Sequence, residues 1–319
     1  MTSMSGPLAA SISPPRLIQT STAEVLRRLE LLITRRLDGL LQGDYQGLAP
    51  GHGAEPGEAR EYEPGDDVRR IDWNVTARMQ RTHVRETIAD RELETWILAD
   101  VSASLDFGTA NCDKRDLALA AAAAVGFLTN RGGNRLGGVV LDAEGRAQAM
   151  PARSGRAQVM AFLHRMAAAP RTDGGGDTDL AGGIDRVASL MPRAGLAVVV
   201  SDFLSLTDWE LSMRRLAVRH DVLGIEVIDP RELELADVGL LTMVDAESGA
   251  EREVQTSDAG LRARYAEAAA EQRREIAGRI RAAGADHLRL RTDRDWIGDL
   301  VRFVTIRRRR IENLPRTIR

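Results

Sequence analysis

This chain has almost nothing with which to do soft-metal or redox chemistry. It holds one cysteine in 319 residues, Cys112, so no disulfide can close within it and a reducing, cytoplasmic compartment is the natural reading. Its five histidines, His52, His83, His164, His220 and His287, are scattered with no pair at helical or turn spacing, which argues against zinc. Lysine is nearly absent as well: of 44 basic residues only Lys114 is one, a bias read here as composition rather than function. Because Lys114 follows no glycine-rich run, the chain carries no phosphate-binding loop of the G-x-x-x-x-G-K-[ST] kind. Long apolar runs are missing too. The longest, Leu117 to Leu128, falls short of the roughly 20 residues a bilayer-spanning helix needs. The opening MTSMSGPLAASISPP has no basic stretch before an apolar core and does not read as a secretion signal. Three tyrosines, a net charge of −3 and no basic face interleaved with aromatics argue against nucleic acid as a partner.

What is present is an ordinary globular composition in a chain long enough to bury a core without staples. Residues 1–15 are small, Ser- and Pro-rich, and expected to be a disordered tail. Residues 16–92 are expected to form a smaller N-terminal helix-plus-loop/strand region. In it Val25, Leu26, Leu29, Leu32, Ile33 and Leu37 fall at helical spacing, and a dense polar block from Arg60 to Arg91 has turn chemistry at Pro64-Gly65-Asp66. From residue 93 to about 308 short apolar strands alternate with helices: TWILAD, then the Ala-rich helix from Leu117, LGGVVLD, two helices, LAVVVSD, a helix, DVLGIEVID, a hairpin turning at Ser248-Gly249, a long charged helix from Asp258 to Ala283, HLRLR, and a last helix. Such alternation predicts an α/β fold, a doubly wound and mainly parallel sheet flanked by helices. The arginine run 307–310 leads into an expected basic, solvated tail at 309–319.

In sheets of this kind ligands sit beyond the carboxyl ends of the strands, and three pieces fall there. They are Asp100-Val101-Ser102-Ala103-Ser104 after the first strand, the loop Gly174 to Asp179 before a helix, and Ser201-Asp202 ending LAVVV. All supply hard oxygens and none supplies sulfur or imidazole, the donor set of one magnesium or manganese ion. Asp100, Ser102 and Ser104 at spacing two can turn toward one point, with Thr178 and Asp202 joining directly or through water; Asp177 and Asp179 flank Thr178, and either could contribute.

D-x-S-x-S, a Thr in a Gly-rich loop, then an Asp ending a later strand resembles the metal-ion-dependent adhesion site of von Willebrand factor A domains. On that resemblance Asp100, Ser102, Ser104, Thr178 and Asp202 are the metal residues. Upstream, the run from Arg60 through Tyr62, Pro64-Gly65-Asp66-Asp67, Arg69, Ile71-Asp72-Trp73 to Thr76-Ala77-Arg78 resembles the signature of the bacterial domain of unknown function 58 family. The resemblance implies a von Willebrand A-like fold, no established catalytic activity, and association with MoxR-type AAA+ ATPases acting as chaperones on client complexes. Physically, so many opposite charges in one block can pair and lock an irregular loop, with Trp73 buried among them. The other reading is a docking surface on Arg69, Asp72 and Trp73. The expected function is a non-catalytic, metal-dependent interaction module. The alternative is a magnesium-dependent phosphoryl-transfer enzyme using Asp100, against which Ser102 stands where a second carboxylate would serve as general acid and no phosphate-binding lysine is expected, Lys114 falling at a helix start.

Overall fold

The computed structural model describes residues 22–41, 59–62, 68, 71–85, 94–130, 134–142, 144–171, 178–244 and 251–312. Their helices are α1 (Thr22–Leu41), α2 (Trp73–Met79), α3 (Lys114–Asn130), α4 (Arg156–Ala168), α5 (Leu180–Leu190), α6 (Trp209–Ala217), α7 (Ala259–Ala282) and α8 (Trp296–Glu312). The strands are β1 (Ala59–Glu61), β2 (His83–Arg85), β3 (Glu94–Val101), β4 (Arg135–Asp142), β5 (Ala147–Arg153), β6 (Leu196–Ser201), β7 (Asp221–Ile228), β8 (Leu240–Val244), β9 (Glu251–Gln255) and β10 (Asp286–Arg291). The chain divides into two compact units, one of Met1–Ala49 with Leu93–Arg319 and one of Pro50–Glu92.

In the larger unit six strands form one sheet in the order β10-β7-β6-β3-β4-β5. Every neighbouring pair is parallel except β4 with β5, as the strand–helix alternation predicts. The strands β3 and β6 are buried along their whole length, which is why both read as continuous apolar runs. Their side chains alternate between two cores. Ile97, Ala99 and Val101 pack with α1, α3, α4 and α8; Trp96 and Leu98 pack with α5, α6 and α7. Two glycines of β4 let these layers close: a Cβ on Gly137 would meet the Trp96 ring, and one on Gly138 the Phe162 ring. From β3 the chain moves to β4 on one side and later to β6 on the other, so the order reverses at β3 and β6. The crevice beyond their carboxyl ends is the switch point.

The helix α1 departs from the expected domain division. Leu26, Leu29 and Ile33 are fully buried in the same core as α3 and α4, so this helix belongs to the sheet unit rather than with the block that follows it. Its cover also explains why Lys114 to Thr129 of α3 are buried all round. At the other end α8 continues past residue 309, where the tail was expected to begin. Arg307 is not solvated: it is 5 % exposed, with Nε 2.7 Å from Asp286 Oδ2, and Arg310 reaches Oδ1 of the same carboxylate at 3.2 Å. The hairpin β8–β9 is antiparallel as expected; its turn at Ser248-Gly249 lies outside the described residues.

The smaller unit pairs β1 with β2 antiparallel, with a further bridge from Ile71 to Val84. Asp72 is the N-cap of α2, its Oδ1 accepting from the backbone N–H of Asn74 and Val75. Arg81 pairs with Glu61 at 3.2 Å with both side chains exposed. Trp73 corrects the expectation of a buried aromatic: as the first residue of a seven-residue helix with no buried positions, it is 70 % exposed. Residues 63–67, with the Pro64-Gly65-Asp66 turn, and Arg69 lie outside the described residues.

Candidate functional site

The apolar run of β3 ends in a buried carboxylate, Asp100, 2 % exposed. Its Oδ1 accepts from the backbone N–H of Ser102 at 2.9 Å and its Oδ2 from the Ser201 hydroxyl at 2.7 Å, which ties the ends of β3 and β6 together. Beyond β3 the backbone tightens into a short 3₁₀ turn, Ala103–Asp106, which brings the Ser104 hydroxyl 3.2 Å from that of Ser102. Across this corner Asp202 follows β6; its Oδ1 accepts from Leu204 N–H at 3.1 Å and its carboxylate is also bonded by Ser104. The next residue, Phe203, has φ of 58°, a left-handed backbone unusual for a bulky side chain. It is buried edge-on against Trp209, with ring centroids 5.2 Å apart, and its packing holds the turn that presents Asp202.

Thr178 is buried but joins this corner through its main chain. Its carbonyl accepts from Leu180 N–H at 2.8 Å and from the Ser205 hydroxyl at 2.5 Å, fastening its loop to the one after Asp202. Asp179 is engaged otherwise, capping α5 through Gly182 N–H, and Asp177 lies outside the described residues.

The sequence reading missed a basic partner. Lys114, the sole lysine, is 1 % exposed, and its Nζ lies 2.8 Å from Asp202 Oδ2 and 2.5 Å from Glu232 Oε1. Next to it Arg273 of α7 donates to the Asp202 carbonyl at 3.0 Å, to Glu226 Oε1 at 3.3 Å and to Glu232 Oε2 at 3.2 Å. Glu226, wholly buried on β7, also takes His287 Nε2 at 2.8 Å and Arg289 Nε at 2.9 Å. A glutamate inside an apolar strand needs partners of this sort, and that was the signal available in GIEVI. Lone lysine in an arginine-rich chain was the other signal.

These contacts shift the two aspartates in opposite directions. Burial, then the neighbouring Asp202 charge, pushes the Asp100 carboxyl up to about 6, despite hydrogen bonds from Ser102 and Ser201. For Asp202 burial also raises, but the Lys114 ammonium more than offsets it and holds the group below the ordinary carboxylate range. The same contest keeps Lys114 above its usual value: burial lowers it, and Asp202 and Glu232 overcome the burial.

Among the described residues no three His, Cys, Asp or Glu cluster as a metal site, so any ion would depend on hydroxyls. The donor set does fit a hard cation: Asp100 is a buried carboxylate opposed by its neighbour's charge, and the Ser102 and Ser104 hydroxyls lie beside it. Ser104 and Lys114 also border an open pocket of about 820 Å³ whose walls include Phe107, Leu204, Leu241 and Met243. No described helix is long and apolar enough to cross a membrane.

A family model described as Protein of unknown function DUF58 matches residues 58–275. An uncharacterized protein of Mycobacterium tuberculosis, Rv1480, is 51 % identical over 305 residues, covering 94 % of this chain and 96 % of its own length. An uncharacterized protein of Mycobacterium avium, MAV169, is 49 % identical over 160 residues, 50 % of this chain and 94 % of that protein. Among solved structures, the conserved hypothetical protein BatB from Bacteroides thetaiotaomicron superposes with a TM-score of 0.43 at 13 % identity, covering 68 % of this chain and 99 % of that one. The SpRpn10 VWA domain gives 0.38 at 13 % identity, covering 66 % and 93 %.

Proposed function

The chain belongs to the family described as Protein of unknown function DUF58, and from that premise we propose a non-catalytic, metal-assisted protein-binding module of von Willebrand A-like design. It works in the cytoplasm as an adaptor between a MoxR-type AAA+ ATPase and a protein client. The observation that carries the reading is the corner of Asp100, Ser102, Ser104 and Asp202 at the sheet's switch point, bordering an apolar pocket. One magnesium or manganese ion held by Asp100, Ser102 and Ser104, with Thr178 and Asp202 in support, would supply a positive charge for a carboxylate brought by the partner. The chain's own residues do the rest: Ser201 and the Ser102 N–H orient Asp100, and Phe107 and Leu204 offer apolar area beside it. In the smaller unit, taken by itself, Trp73 is exposed on α2 and offers a docking residue of its own.

The test pairs thermal melts with magnesium-dependent capture of the ATPase from a lysate of the source organism, identified by mass spectrometry. Ser104→Ala removes one half-buried hydroxyl that bonds Asp202 and opens no core cavity, so in chelator it should cost about 1–3 kcal/mol and leave the fold intact. The same variant should lose the magnesium-dependent capture. Equal capture by both proteins removes the site as drawn.

One observation favours the enzymatic alternative, phosphoryl transfer to Asp100: a lysine does stand at the site, beside Asp202. Both of its contacts are carboxylates and it is closed to solvent, while Ser102 still occupies the general-acid position. Phosphomonoesterase turnover that vanishes in Asp100→Asn would replace the adaptor reading.

A further inference from the structure

The corner of Asp100 and Asp202 already holds a cation of the chain's own, Lys114. Around it stand the carboxylates Asp100, Asp202, Glu226 and Glu232 and the cations Lys114, Arg273 and Arg289. Each cation bonds one or two of the last three carboxylates. Asp100 instead accepts from the Ser102 N–H and from the Ser102 and Ser201 hydroxyls, and the buried Arg115 guanidinium attracts it through space. A divalent ion entering the corner would have to share Asp202 with Lys114. It would also lie close to a buried ammonium in a dry environment, where charges of like sign are poorly screened.

We infer that Lys114 is the resident counter-cation of this corner: its ammonium neutralises Asp202 in the ion-free protein and competes there with a divalent metal. The inference rests on the ion reading of the preceding section. The choice of residue fits the role. An ammonium is a compact charge with three donors on a flexible stem, and Nζ here spans two carboxylates that a planar guanidinium fork would not bridge in the same way. Its backbone is fixed at the start of α3, where the Lys114 N–H donates to the Phe107 carbonyl at 2.9 Å, so the charge cannot drift from the corner. Asp202 keeps further bonds from Leu204 N–H and Ser104 whichever cation it faces. Lys114 therefore makes the ion optional for folding and sets how tightly it is held. The physical consequence is a weak site in the free protein, filled when a partner adds a negative charge.

The experiment is a calorimetric titration with Mn²⁺ alone on the wild type, Lys114→Gln and Asp100→Asn, with melts in EDTA and in Mn²⁺. Lys114→Gln keeps a hydrogen-bond donor while removing the positive charge that faces Asp202 and Glu232. It should bind Mn²⁺ tighter than the wild type by about tenfold or more, the lower end of couplings between close charges. It should melt low in EDTA and recover in Mn²⁺, and Asp100→Asn should bind no ion. Equal affinity in wild type and Lys114→Gln overturns the lysine's role and leaves the ion reading standing. No binding by either protein overturns both. If Lys114→Gln does not fold, the wild type answers alone, because a chain with one lysine gives one side-chain signal when labelled with ¹³Cε,¹⁵Nζ-lysine. Saturating Mg²⁺ should shift that signal in the wild type and not in Asp100→Asn; a signal unmoved by Mg²⁺ in the wild type refutes the competition.

Discussion

Two charge-rich regions of this chain, the carboxyl edge of the sheet and the described part of the block around α2, use the same residue types for opposite ends. At the sheet edge Arg273 is 3 % exposed and serves Glu226, Glu232 and a backbone carbonyl together. In the block the pair Arg81–Glu61 has side chains 71 % and 58 % exposed, Asp72 is spent on capping a short helix, and Trp73 faces solvent. Charge density in a sequence therefore says little until burial is known. Water screens a pair on the surface, whereas a buried pair must be complete or it costs several kcal/mol.

The largest expected effect tests that contrast directly. Arg273→Met leaves Glu226 and Glu232 short of a partner and should destabilise by about 3–5 kcal/mol in urea melts, against about 1 kcal/mol or less for Arg81→Met. Similar losses from both would mean that the edge is wetter than its burial indicates.

A smaller effect should appear with pH. The Glu226 carboxyl lies below its ordinary 4.5: burial raises it, but the His287 hydrogen bond and the Arg289 and Arg273 charges lower it further. A depressed carboxylate contributes stability above its unfolded value and loses it as pH falls through the folded one. The wild type should thus lose stability below about pH 4.5, while Glu226→Gln, less stable at neutral pH, should lose less over the same range. Urea midpoints across this range measure it; parallel acid limbs would contradict the assignment.

The smallest effect is expected in the block. Trp73→Ala should shift stability by about 0.5 kcal/mol or less, as for exposed positions, instead of the roughly 3–5 kcal/mol that losing a buried aromatic costs. If capture of the ATPase falls while the melt is unchanged, Trp73 is a docking anchor. A large drop in melting temperature would place it back in a core.

The elements of the fold were legible because they are written locally. A run such as LAVVV followed by Ser201-Asp202 states a doubly covered strand and the polar end that follows it, and WILAD before Ser102 does the same. That Asp100, Ser102, Ser104 and Asp202 share one edge was legible from order and spacing, since the carboxyl ends of neighbouring parallel strands lie together. Thr178 was named on the same grounds, and its loop is fastened to the same edge. The helix α1 was also visible in its apolar spacing, but its place was not, because periodicity gives a helix a face without naming what covers it.

The sequence by itself determined the alternation of strands and helices, the mainly parallel sheet and the acidic and hydroxyl groups at its edge. Only the tertiary structure decided that Lys114 lies against Asp202, 88 residues away, that Arg273 on a charged helix turns inward to Glu226, and that the block's tryptophan turns outward. The reason is physical. Hydrophobic period and strand-end chemistry act over a few residues, whereas an ion pair between distant segments depends on strand order and on which helix face meets the sheet, and both follow from packing the whole core at once.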